Sequence, residues 1–217
     1  MLGGVIFDFD GVIVDSHPRH IQSWKTLLRS KGKAVSDEEL SFVREGAKRE
    51  EILRHFLGEL TPERVASYGA EKDKLFQARA GELKLVPGFA EFLSQLDTIG
   101  LPSAVASSGS RGRVEQSLAA FNIRDRFRAV MTAEDVGRGK PDPALFLLAA
   151  QALQVEPDRI LVCEDAVAGV VAAKSAGMKC VGIAANGRRT TLKEAGADLV
   201  VDNFSHTNLD EVRRLFV

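Results

Sequence analysis

The chain has 217 residues, 45% of them apolar, with 29 Lys plus Arg against 30 Asp plus Glu. That length and apolar content support an ordinary globular core and exclude disordered and fibrous architectures. The formal net charge of −1 gives no overall attraction for nucleic acid or an anionic membrane, and runs such as Ala144 to Ala150 are far too short to span a bilayer.

No basic leader precedes the first apolar stretch, which breaks at Asp8 and Asp10, so no secretory signal is expected. With only Cys163 and Cys180, a cytoplasmic chain with free thiols is the expectation. Val5-Ile6-Phe7 predicts a short buried strand. From Ser16 to about Glu82 strand signals vanish and helix signals crowd together. Ile21, Trp24 and Leu28 share one helical face, Ser36 and Glu39 have capping-box spacing, and Thr61-Pro62 is a helix start.

Beyond Pro87, strands are predicted at Ser103 to Ala106, Ala129 to Thr132, Arg159 to Cys163, Lys179 to Ile183 and Asp198 to Val201, alternating with helical stretches. Asp142-Pro143 opens one helix, and Gly100 and Gly177 stand where helices should stop. The alternation predicts an α/β fold, a doubly wound parallel sheet with a Rossmann-like core. An all-helical domain is inserted after the first strand. The expected division is a core of residues 1–15 and 83–217 and an insertion of residues 16–82.

The chemistry gathers at the predicted strand ends. Asp8-Phe9-Asp10-Gly11 follows the first strand, and two acids there are costly unless they face a crevice. A turn with two solvated acids is the plain alternative. Ser107-Ser108-Gly109-Ser110 places hydroxyls and backbone N–H groups at the mouth of a helix, where they either hold a phosphate or merely cap the helix. Lys140-Pro141 precedes another helix, with Pro141 favouring an extended Lys140. Glu164-Asp165 ends a further strand. Four converging carboxylates would repel one another, so a hard divalent cation is the economical expectation.

Asp8-Phe9-Asp10-Gly11, Ser107, Lys140-Pro141 and Glu164-Asp165, in this order and spacing, resemble the four motifs of the haloacid dehalogenase-like superfamily. The helical insertion is similar to the small cap of its subfamily I. Gly169, Ala172-Ala173, Ala176-Gly177-Met178 and Ala195-Gly196-Ala197-Asp198 also look like its phosphatase and phosphomutase branch.

The resemblance implies roles. Asp8 is the nucleophile that becomes an aspartyl-phosphate, and Asp10 the general acid and base, two residues on and so on the same face of an extended segment. Ser107, with Ser108 beside it, and Lys140 bind the phosphoryl group. Mg²⁺ is held by Asp8, the backbone carbonyl of Asp10 and Asp165, with Glu164 helping directly or through water. Haloacid dehalogenases lack an acid at the position of Asp10, so dehalogenation is not expected. A non-catalytic binding module is the alternative from another class.

In the insertion, His20 and Trp24 lie four apart on one helix, with Lys25 next, while Arg49 follows Gly46 and Lys72 lies on the Pro62 helix. Packing by Trp24 and solvation of the charges is the plain alternative. His20-x-x-x-Trp24-Lys25, Gly46-x-x-Arg49 and Lys72-x-x-x-Phe76 are similar to the β-phosphoglucomutase cap, where the matching residues position the acid/base and bind a second phosphate. Two departures favour a phosphatase over a mutase: Ser16 in the hinge, a position usually Thr, and Gly109-Ser110 in place of a serine and a lysine. The expected partner is a small phosphorylated metabolite, with sugar phosphates foremost, acted on by a monomer without nucleic acid or membrane. His55 and His206 are expected at the surface, Cys163 and Cys180 in the core, and Arg188-Arg189 in a solvated loop.

Overall fold

The computed structural model describes residues 1–40, 42–43, 49–78, 83–185 and 187–217, with the side chain of His206 left aside. Gly46 and the expected junction at Glu82 lie outside the described residues. The chain divides into two compact units, Ser16–Leu83 and Met1–Asp15 with Lys84–Val217.

The first of these contains α1 (His17–Ser30), α2 (Arg49–Leu57) and α3 (Pro62–Gln77). Ile21, Trp24, Leu27 and Leu28 of α1 pack with Leu40 and with Ile52, Leu53 and Phe56 of α2 in one buried cluster. The apolar stripe of α1 therefore faces inward, as its spacing requires. Pro62 begins α3, and the Thr61 hydroxyl accepts from the Arg64 N–H. Ser36 and Glu39 exchange both reciprocal hydrogen bonds, at 2.8 and 3.1 Å, but they close a turn over residues 37–40.

The other unit is built on a sheet of β1 (Gly4–Phe7), β2 (Ser103–Ser107), β3 (Ala129–Thr132), β4 (Ile160–Glu164), β5 (Lys179–Ile183) and β6 (Leu199–Val201). All pairings are parallel, in the order β3-β2-β1-β4-β5-β6. Around it run α4 (Phe89–Thr98), α5 (Arg111–Ala120), α6 (Ala144–Leu153), α7 (Val167–Ser175), α8 (Arg189–Glu194) and α9 (Leu209–Arg214).

Alternation along β1 serves two helical layers. Ile6 belongs to the buried cluster that includes Leu145, Phe146 and Ala149 of α6 and Val170 of α7. Phe7 points the other way, edge-on to Phe89 and Phe92 of α4, Phe127 and Phe204, with centroids 5.2 to 6.3 Å apart. Truncating so buried an aromatic to Ala costs about 3–5 kcal/mol. Strand order reverses between β1 and β4, with β2 and β3 on one side and β5 and β6 on the other. In an open α/β sheet the crevice for a ligand lies outside the carboxyl ends of the strands at that reversal.

Candidate active site

Asp8 is the first residue past β1, and its N–H donates to the Cys163 carbonyl at 2.9 Å, which extends the β1–β4 ladder to the reversal point. The chain then folds on itself: Gly11 N–H donates to Val14 O at 2.8 Å and Val14 N–H to Phe9 O at 3.1 Å. Asp10 sits within that turn. The guanidinium of Arg113, in the first turn of α5, grips its carboxylate with Nη1 at 2.8 Å from Oδ1 and Nη2 at 2.5 Å from Oδ2.

Lys140 enters from the loop before α6, where the Asp142 carboxylate accepts from the Ala144 N–H at 2.9 Å. Its peptide bond to Pro141 is cis. The ammonium lies 2.5 Å from Asp8 Oδ1, 2.9 Å from Glu164 Oε1 and 3.2 Å from the Ala106 carbonyl. Glu164 is engaged through both oxygens, because Oε2 accepts from the Asp165 N–H at 2.7 Å. Gly169 on α7 makes room for this carboxylate: a Cβ there would stand 1.5 Å from Glu164 Oε1. Arg188 Nη2 reaches Asp165 Oδ2 at 2.9 Å. Ser107 is buried at the end of β2 and its hydroxyl oxygen accepts from the Gly109 N–H at 3.0 Å, whereas Ser108 is exposed.

The electrostatics follow from crowding charge into a dry place. Burial pushes Asp8 well above the usual carboxylate range; Lys140 opposes this, while Glu164, Asp165 and Asp10 reinforce it. Glu164 is raised by burial against the pull of Lys140. For Lys140 itself, burial works against the charge, but Asp8 and Glu164 together outweigh it and hold the pKa above the ordinary lysine value. Among the described residues, Asp8, Glu164 and Asp165 each present an oxygen within 4.8 Å of the others, and all three are buried. Hard oxygen donors this close fit a small divalent cation. Burial also pushes the Cys163 and Cys180 thiols up, so neither is a nucleophile.

Of the expected core-unit residues, Asp8, Lys140, Glu164 and Asp165 thus come together, with Ser107 at the end of neighbouring β2, Asp10 in the turn after Asp8 and Ser108 exposed. In the helical unit, three of four expected residues meet. His20 stacks on Phe76 with centroids 4.5 Å apart, and its Nδ1 lies 2.6 Å from Lys72 Nζ. Lys72 is buried, its ammonium 5.8 Å from the centroid of the Trp24 ring and 5.0 Å from that of Phe76. Trp24 is 3% exposed and belongs to the packed interior of that unit. Arg49 pairs instead with Asp73, at 2.6 Å. Lys25 pairs with Asp37 at 2.5 Å.

Arg188 is a correction: the expected solvated loop is tied down there, with Arg188 half-buried on Asp165, while Arg189 is exposed at the start of α8 and donates to the Val200 carbonyl and to Asp202. Neither Arg113 nor Arg188 was visible as a site residue in the sequence, because a lone arginine on a helix or loop reads as a solvated charge. The signal for Arg113 was Gly109, a missing side chain in the loop after β2 where a Cβ would stand 2.0 Å from Arg113 Nη2.

Residues 5–183 match the family of haloacid dehalogenase-like hydrolases. The chain is 36% identical to validoxylamine A 7'-phosphate phosphatase of Streptomyces hygroscopicus subsp. limoneus, over 88% of its own length and 89% of that protein. It is 31% identical over 98% of its length to the chloroplastic 5-amino-6-(5-phospho-D-ribitylamino)uracil phosphatase of Arabidopsis thaliana, of which it spans 57%. The crystal structure of β-phosphoglucomutase from Clostridium difficile superposes with a TM-score of 0.87 at 26% identity, covering 100% of this chain and 97% of that one. With a sheet that reverses at Asp8 and a match that runs from the first strand to the fifth, the chain belongs to the haloacid dehalogenase-like hydrolase family.

Proposed function

We propose that this protein is a Mg²⁺-dependent phosphatase of small phosphorylated metabolites, sugar phosphates foremost, and that it works through an aspartyl-phosphate on Asp8. The observation that carries the reading is the buried ammonium of Lys140 bridging Asp8 and Glu164 beside Asp165, at the sheet's reversal point. Asp8, Asp165 and the backbone carbonyl of Asp10 would hold Mg²⁺, while Glu164, with both oxygens engaged, orients Lys140. Bound there, Mg²⁺ supplies positive charge to the transferring phosphoryl group.

Asp8 attacks phosphorus, forming an Oδ–P bond as the bond to the ester oxygen breaks. Lys140 steers the Asp8 carboxylate and takes up phosphoryl charge, and the Ser107 hydroxyl donates to a phosphoryl oxygen. Asp10 gives a proton to the departing ester oxygen. It then takes one from the water that attacks phosphorus, which frees phosphate and restores Asp8. The two relatives named above are a validoxylamine A 7'-phosphate phosphatase and a phosphatase of a 5-phospho-D-ribitylamino compound, which supports a small phosphorylated metabolite as substrate.

A phosphomutase is the second reading, favoured by the match to β-phosphoglucomutase. It requires a cation in the helical unit to grip a second phosphate, and Arg49 is already held by Asp73. Ser16 in the hinge and Gly109-Ser110 after Ser107 support hydrolysis as the first reading, and the Arg49–Asp73 pair is consistent with it. The free, buried thiols support a cytoplasmic location. The test is β-glucose 1-phosphate with a trace of glucose 1,6-bisphosphate and Mg²⁺. Free phosphate forming faster than glucose 6-phosphate is expected. Rapid glucose 6-phosphate with negligible free phosphate, lost in Arg49→Ala, would reverse the order.

A further inference from the structure

We infer that Arg113 is a positioning residue for Asp10, and that Gly109 is glycine because the Arg113 guanidinium lies against it. The inference rests on the reading of Asp10 as the group that serves the leaving oxygen. Three observations meet here.

Arg113 donates through both terminal nitrogens to both oxygens of Asp10, at 2.8 and 2.5 Å, so the fork fixes the plane of the carboxylate as well as its place. The arginine side chain is itself held, being 7% exposed with its guanidinium carbon 5.5 Å from the centroid of the Phe9 ring. A Cβ at Gly109 would stand 2.0 Å from Arg113 Nη2, so any other residue at this point of the phosphate loop displaces the fork. Gly109 is also one of the two loop positions at which the chain departs from the mutase-like sequence.

The arrangement has a mechanical consequence. An acid/base group needs one oxygen within about 2.6–3.2 Å of the atom it serves. With two parallel N–H···O contacts, one can open to deliver that oxygen while the other stays closed as a pivot. Lysine, a point donor on a flexible stem, can hold the carboxylate but cannot fix its plane. Methionine does neither. Because misplacing a catalytic group by about 1 Å can cost on the order of a hundredfold in rate, loss of the fork should appear where Asp10 matters most, in departure of a poor leaving group.

The test compares phenyl phosphate with p-nitrophenyl phosphate, two esters of nearly the same shape that differ in how much the departing oxygen needs a proton. Under saturating Mg²⁺, Arg113→Met is expected to lower kcat on phenyl phosphate at least about tenfold more than on p-nitrophenyl phosphate, with KM little changed. Arg113→Lys should fall between Arg113→Met and wild type. Gly109→Ala, which only pushes aside the flexible end of Arg113, should show the same selectivity and keep the chain folded even if Arg113→Met does not fold. Added to Arg113→Met, Gly109→Ala should cost nothing more, because the fork it displaces is already gone.

Asp10→Ala is the reference. If it is selective for phenyl phosphate while Arg113→Met and Gly109→Ala slow both esters equally or neither, the inference about Arg113 falls and the role of Asp10 stands. An unselective Asp10→Ala overturns both. A Gly109→Ala loss that is as large in the Arg113→Met background as in wild type also overturns the coupling.

Discussion

The two units hold their buried lysines in opposite ways. Lys140 sits between two carboxylates and a carbonyl, each supplied by a different strand end. Lys72 sits among the rings of His20, Trp24 and Phe76, with an Asp73 carboxylate oxygen 3.9 Å away. In the core unit the charges are fixed by ion pairs that the sheet topology enforces. In the helical unit the cation meets rings carried by α1 and α3. The first arrangement tolerates little change in chemistry, and the second can be retuned by repacking.

Breaking the strand-end arrangement should have the largest effects. Asp8→Asn is expected to lower phosphate release on the order of 10⁴-fold or more, since an amide does not attack phosphorus; steady-state release from any accepted ester checks this. Asp10→Ala should cost about 10²–10⁴-fold on alkyl phosphates and much less on p-nitrophenyl phosphate. Gly169→Ala, which puts a methyl group in the space of the Glu164 carboxylate, should lower kcat about 10–100-fold by pushing Glu164 off Lys140. Its effect on activity should exceed its effect on melting temperature.

Away from the site the same measurements should show little. Asp198 accepts from Lys174 at 2.7 Å and from the Cys180 N–H at 2.8 Å. Burial raises its pKa, but these contacts outweigh it and hold the carboxyl below its ordinary 3.8. A carboxylate lowered on folding stabilises above its unfolded pKa and loses that contribution as pH falls through the folded value. Asp198→Asn should therefore lower the melting temperature by about 2–4 °C at neutral pH, for roughly 1 kcal/mol, and by less below pH 3.8. Arg49→Ala breaks a pair with both side chains partly exposed, at 44% and 26%. It should change stability by no more than about 1 kcal/mol and barely alter turnover of p-nitrophenyl phosphate.

The same contrast explains what the sequence revealed. Short apolar runs ending in Asp8, Ser107 and Glu164-Asp165 name strand ends directly, and parallel pairing puts those ends on one edge, so the placing of these four residues was legible. Contacts between side chains on separate helices have no such rule. The meeting of His20 with Lys72 depends on how α1 packs on α3, and the Arg49–Asp73 pair on side chains 24 apart in sequence. Arg113 and Arg188 escaped notice because nothing local distinguishes an arginine aimed at a carboxylate from one in solvent. Gly109 and Gly169 carried the missing information as absent side chains, readable only once the neighbour that fills the space is known.

The central claim is that phosphate passes through Asp8. Wild-type protein with Mg²⁺ and a radiolabelled phosphate ester, quenched in acid during turnover and digested, should carry a hydroxylamine-labile label on the peptide containing Asp8, and Asp8→Asn should carry none. Label on a serine, or undiminished labelling of Asp8→Asn, would contradict the account.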